Sequence, residues 1–193
     1  MKEQTPRRNF LKAAGLGSLA AASVPALLLS PNAQAQNGHR IYVFVSFSQA
    51  PVTKSGVLPR IGMDGAGTFD PDAGWVKGGG NFVLFDQNHP TPRPLIASGF
   101  WEATGFVSYD TKGLGFFGTI QPAILTVLAN FDVLGSGLTL KLICNVGAVP
   151  LLTGEDEGWQ LLDTPAYGTF QPPTPGVGIT HLSIQGVSID RGA

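Results

Sequence analysis

Between Leu138 and Val146 the chain alternates without interruption. Leu138, Leu140, Leu142, Cys144 and Val146 stand at every second position, with Thr139, Lys141, Ile143 and Asn145 between them. Successive side chains of an extended strand point to opposite faces, so a period of two separates an apolar face from a mixed one. The same pattern recurs along most of the chain, cut into pieces by 26 Gly and 15 Pro. No long stretch carries the three-to-four spacing of an amphipathic helix. These features predict an all-β protein.

Read in order, Ile41 to Ser48 places Ile41, Val43, Val45 and Phe47 on one face and Tyr42, Phe44, Ser46 and Ser48 on the other. Arg60 to Phe69 and Trp75 to Phe85 flank Asp70-Pro71-Asp72-Ala73-Gly74, whose Asp, Pro and Gly suit a tight turn, so the pair reads as a hairpin. Gly78-Gly79-Gly80 in its second arm predicts a bulge or sharp coil. Leu95 to Tyr109 sets Trp101, Ala103 and Val107 against Phe100, Glu102, Thr104 and Phe106. Gly113 to Ile120 reads as a short strand, and Ala123 to Val133 pairs with Leu138 to Val146 across Leu134-Gly135-Ser136-Gly137. Pro122 and the spacing of Ile124, Leu125, Leu128 and Phe131 also fit a short helix, but the clear hairpin partner favours strand. Glu157 to Leu162 and Ile179 to Ile189 close the series, with Pro165 to Gly178 as a loop. The expectation is an antiparallel curled sheet of about eight or nine strands, a β-barrel in preference to a β-sandwich.

Composition narrows the classes. An apolar content of 43% with 13% charged residues excludes a disordered chain. A net charge of −1 offers no basic surface, so nucleic acid is not an expected partner. One cysteine precludes an internal disulfide, and Cys144 on the apolar face reads as a buried, inert thiol. No zinc, nucleotide or hydrolase motif occurs, so no cofactor is expected.

The N-terminus reads as an address. Lys2, Arg7, Arg8 and Lys12 precede the uncharged run Ala13 to Leu29, and Ala33-Gln34-Ala35 presents small residues to a signal peptidase. The stretch Pro6-Arg7-Arg8-Asn9-Phe10-Leu11-Lys12 resembles the twin-arginine (Tat) signal. That resemblance implies export of an already folded protein to the periplasm or the exterior. A retained anchor is the alternative, but the run has 17 residues with two Gly and a Pro, short of the ~20 of a spanning helix. Residues 1–35 are therefore expected as a cleaved signal and 36–193 as a single β-domain with no membrane span. The mature chain carries eight basic and twelve acidic residues.

Four side chains stand out as candidate binding residues. His181 alternates with Ser183 and Gln185 in an apolar strand, a polar trio able to line a barrel lumen. Glu102 alternates with Phe100, Thr104 and Phe106, where burial would raise its pKa. Trp101 beside it is read as core, or as a platform for a ligand. Asp64, Asp70 and Asp72 fail the calcium-loop spacing, and turn chemistry accounts for Asp70 and Asp72. Glu155-Asp156-Glu157 reads as a solvated loop.

The leading expectation is a small, partly apolar molecule bound inside the barrel, with Glu102, His181, Gln185 and Trp101 around it. A cofactor-free barrel enzyme of isomerase or cyclase type, using Glu102 or His181 for proton transfer, is one alternative. The hairpin beginning Gly67-Thr68-Phe69 resembles, faintly, the glycine-punctuated hairpins of allene oxide cyclase and dirigent barrels. A self-associating structural or cell-surface protein is the other alternative. For the address, replacing Arg7 and Arg8 together by Lys is expected to abolish the exported form beginning at Gln36. N-terminal sequencing of the exported fraction checks this, and continued accumulation of that form would contradict the assignment.

Overall fold

The computed structural model describes residues 40–51, 59–86, 92–112, 119–145, 153–172 and 178–187, all within the unit Ala35–Ala193. Their regular structure is entirely strand: β1 (Arg40–Pro51), β2 (Pro59–Asp70), β3 (Trp75–Asp86), β4 (Leu95–Thr111), β5 (Ala123–Phe131), β6 (Gly135–Cys144), β7 (Gly158–Thr164), β8 (Gly168–Phe170) and β9 (Gly178–Val187). All pair antiparallel in one sheet of order β8-β7-β6-β5-β4-β3-β2-β1-β9.

This order dictates the curl. β8 and β9 are consecutive in sequence but occupy opposite edges. A flat sheet of nine strands would hold its edges about 38 Å apart. The chain from Phe170 to Gly178 reaches at most about 29 Å. The sheet must therefore bend until its edges approach, and hydrogen bonds record that approach. Gln121 N–H donates to the Leu182 carbonyl at 2.8 Å and Ile184 N–H to the Thr119 carbonyl at 3.0 Å, so a short bridge at Ile120 covers the open side of β9.

Further along the same seam, Thr180 N–H donates to Glu157 Oε1 at 2.8 Å. Thr180 Oγ1 donates to the Gly158 carbonyl at 3.1 Å, which leaves Ser46 to donate to Thr180 Oγ1 at 2.9 Å. Ser46 and Thr180 are both buried, and each hydroxyl is satisfied. The other Glu157 oxygen accepts Asn145 N–H. Glu157 thus joins the end of β6 to the edge of β9. It is not the solvated loop residue that its acidic neighbours imply, because two backbone donors hold it half-buried.

The core lies on the concave face. Tyr42, Phe69 and Tyr109 pack with ring centroids 4.9–5.1 Å apart at one end. Trp101 stacks between Phe44 and Phe131 at the other, and Trp101 Nε1 donates to the Asp64 carbonyl at 2.7 Å. β5 and β6 contribute alternate apolar residues, Leu125 and Val127 facing Leu140 and Leu142, as the alternation requires. Cys144 is buried among them.

Several sequence expectations are corrected. Of the bulge or sharp coil expected at the glycine triplet, the bulge is absent: β3 keeps one register with β2 on both sides, from Met63/Phe82 to Ala66/Gly79. Glycine is required there by close approach. A Cβ on Gly80 would lie 2.1 Å from the Asp64 carbonyl oxygen, and one on Gly78 would lie 2.6 Å from Phe44 Cζ. Irregularities fall elsewhere, two of them in β4 against β5, between Ala103/Gly105 and Phe106/Ser108. They turn Phe106 inward toward Phe69 and leave Val107 exposed, reversing the faces expected from strict alternation. The region expected as a loop, Pro165 to Gly178, contains β8, and the β5–β6 turn lies at Asp132–Leu134. The expected strand at Gly113 to Ile120 lies mostly outside the described residues.

Burial, the largest effect, holds the Glu157 carboxyl above its ordinary pKa, although the Asn145 and Thr180 amides and His181 oppose it. A carboxyl raised in the folded state binds its proton more tightly there. Its contribution to stability is therefore greatest in acid and is lost as pH climbs from the ordinary glutamate value through the raised one. Glu157→Gln removes that titration. The melting temperature of the variant is expected to gain on wild type as pH rises from 4 to 7, whatever their offset. A constant offset in a pH series of thermal melts would contradict it.

Candidate functional site

The curl assigns the sequence-nominated residues to two sides. Trp101 points inward and is buried beneath β2, where Gly65 leaves space for its ring. Glu102, His181 and Gln185 lie on the outer face and are exposed. Glu102 on β4 and His181 on β9 are separated by β3, β2 and β1, so they do not converge. Of the acidic residues near the glycines, Asp70 caps its own turn, its Oδ1 accepting the N–H groups of Asp72 and Ala73 at 2.9 Å. Asp64 faces outward and accepts Asn81 N–H at 2.9 Å and Asn81 Nδ2 at 3.1 Å.

Among the described residues, large side chains pack against one another on the inner face. Phe44, Phe69, Trp159 and Phe170 have no exposed surface, and Phe82 and Trp101 almost none. Burial pushes the Tyr109 phenol up, with the nearby Tyr42 reinforcing it, so it stays neutral and donates to Gln121 Oε1 at 2.6 Å.

The outer face presents a depression of about 150 Å³ lined by Gln49, Gly62, Asp64, Asn81, Val83 and Phe85. Strand register explains it. Gln49, Gly62, Val83 and Ser98 lie side by side on β1 to β4. Gly62 contributes no side chain and Ser98 a short one, so this row forms the floor. Asp64 and Asn81, followed by Phe100 opposite Asn81, form one bank. Arg60 and Phe85, with Leu95 opposite Phe85, form the other. The depression itself is lined from β1, β2 and β3, about 10 Å across, and Ser98 and Phe100 of β4 flank it. Its banks are four residues apart along β2 and β3, about 13 Å.

The surroundings combine apolar and polar chemistry. Phe100 is 69% exposed, Val83 43% and Ile96 44%. A large aromatic so exposed in the middle of a strand has no packing role, which makes it informative. The Arg93 guanidinium lies 5.7 Å above the Phe85 ring, and Arg60 donates to Gln49 Oε1 at 3.3 Å. The trough was hidden in the sequence because its residues come from four strands. The exposure of Phe100 runs against the sequence pattern, which offers the face it shares with Glu102 as a lining of the interior.

Comparison with protein-family models, curated proteins and solved structures yields no match. The reading of this site therefore rests on its own chemistry. A direct consequence separates the neighbours Phe100 and Trp101. Trp101→Ala is expected to destabilise the fold by about 3–5 kcal/mol, the cost of emptying a packed aromatic site. Phe100→Ala is expected to change stability by less than about 0.5 kcal/mol, as for exposed positions outside structural features. Urea unfolding of the two variants checks the contrast, and comparable losses would overturn the assignment of faces.

Proposed function

We propose that this protein is an exported β-domain that works by binding, and that its binding surface is the outer trough across β1 to β4. The observation that carries this reading is Phe100, an aromatic ring held out to solvent on a strand beside a depression, where Trp101 next to it is packed into the core. The expectation of a small, partly apolar ligand is retained in its chemistry and moved from the inside of the curl to the outside. A ligand pocket needs apolar walls with a few fixed polar groups, and the trough supplies both. Binding is favoured over proton-transfer catalysis by Glu102 or His181 because each is exposed on the outer face, where water levels its acidity. The twin-arginine resemblance supports an exported, prefolded domain, as the reading requires.

Self-association is the second reading. Its support is the run of exposed apolar residues along β4, Leu95, Ile96, Phe100 and Val107. Both readings are tested on the purified mature chain. An apolar naphthalene dye is expected to bind with enhanced fluorescence, and the double substitution Val83→Asp, Phe100→Asp is expected to weaken it at least tenfold. Equal dye binding by the two proteins would overturn the trough as the site. Light scattering at low and high concentration separates the partner types. A monomer throughout supports a small or foreign ligand, whereas growth in mass that Phe100→Asp removes assigns the surface to a second copy.

A further inference from the structure

We infer that the ligand of the trough is a neutral polysaccharide chain. This rests on the reading of the trough as the binding surface and goes beyond it by naming the ligand class.

Charge comes first. The residues lining the depression include one carboxylate, Asp64, two carboxamides, Gln49 and Asn81, and no cation. The nearest guanidinium groups stand outside the lining: Arg60 donates to Gln49 Oε1 and keeps its Nε buried, and Arg93 lies over Phe85. An anionic ligand seated in the depression would touch the Asp64 carboxylate and neither cation. A purely apolar ligand would cover Asp64 Oδ2 and the remaining donor and acceptor positions of the two amides, which costs free energy wherever a polar position loses water without gaining a partner. The trough therefore suits a ligand that is uncharged, rich in hydroxyl groups and apolar on one side.

Hydrogen-bond capacity comes next. Asp64 Oδ1 is held by Asn81, which fixes the carboxylate on its bank, while Oδ2 has no partner among the described residues. A fixed carboxylate oxygen accepts hydroxyl donors strongly. The carboxamides offer a donor and an acceptor each. Phe100, directly across from Asn81, supplies a flat apolar face for the C–H side of a sugar ring.

Shape selects a chain. The trough lies across the strands and its floor row ends at no wall on β4, where Ser98 is small and exposed. An extended polymer fits such a trough. A peptide laid on a sheet face would find side chains only, because the sheet's amides are bonded within it, and its own backbone groups would go unpaired. Sugar hydroxyls rotate to suit their partners and keep the remainder in water.

The test uses the mature chain in affinity gels containing neutral soluble glucans, mannans or xylans, with pull-down on insoluble cellulose and chitin. Wild type is expected to be retarded or captured by at least one of them. Phe100→Ala and Asn81→Ala are each expected to weaken that binding at least tenfold, with circular dichroism unchanged. Lys77→Ala, exposed on the far half of β3, is expected to bind as wild type. Absence of binding to the whole set overturns the inference, as does binding that survives both trough substitutions. If no polysaccharide binds while the naphthalene dye still depends on Val83 and Phe100, the ligand class falls and the site stands. If the dye is also indifferent to them, both fall.

Discussion

The structure depends on one constraint of connectivity. Two strands adjacent in sequence, β8 and β9, sit at opposite edges of a nine-stranded sheet, and the segment between them is too short to cross it flat. Curling is therefore a condition of the topology. Once the edges approach, their backbone groups need partners. The bridge at Ile120, the Glu157 carboxylate and the Ser46–Thr180–Gly158 relay supply them. An edge strand with unpaired amides invites aggregation, and β9 is covered along the stretch these contacts span. A carboxylate closing a seam is a compromise. It accepts two amides at once, but burial charges it a penalty that shows in its raised pKa.

Curvature of this kind crowds the concave side, and glycine relieves the crowding. Gly65 and Gly67 on β2 and Gly78 and Gly80 on β3 all face inward, under the rings of Trp101 and Phe44 or against neighbouring backbone. With no side chains there, two large aromatics lie close to the sheet. The outward positions of the same strands carry Gly62, Asp64, Asn81 and Val83. The same hairpin thus builds a packed inside and an indented outside. That is the physical basis for looking for function on the convex surface.

Much of the fold was legible in the sequence. Alternation from Leu138 to Val146, the turn at Asp70 to Gly74 and the punctuation by Gly and Pro mark strands and hairpins through local rules of pleat and turn. Reading Ala123 to Phe131 as strand was sound because its partner was adjacent in sequence. Local rules misled where a neighbour distant in sequence decided. Gly78 to Gly80 looks like a bulge until Asp64 and Phe44 are placed against it. Phe106 looks outward until two irregularities shift the register of β4. Glu157 looks solvated until Thr180 arrives from the other edge. The candidate site was largely illegible for the same reason: Gln49, Gly62, Asn81 and Phe100 are neighbours only through three strand pairings.

The sequence by itself determined the class of structure, because a period of two forces extended backbone and Gly and Pro set where it turns. It also determined which face of β5 and β6 is apolar, since the pleat alone assigns that. Only the tertiary structure decided which face of β4 and β9 looks inward. The inward face goes to the side chains that fill the curl, Trp101 and Leu182, while Glu102 and His181 are left to water. That choice turns on the packing of the whole interior and on the penalty for burying an unpaired charge, and no local pattern carries either.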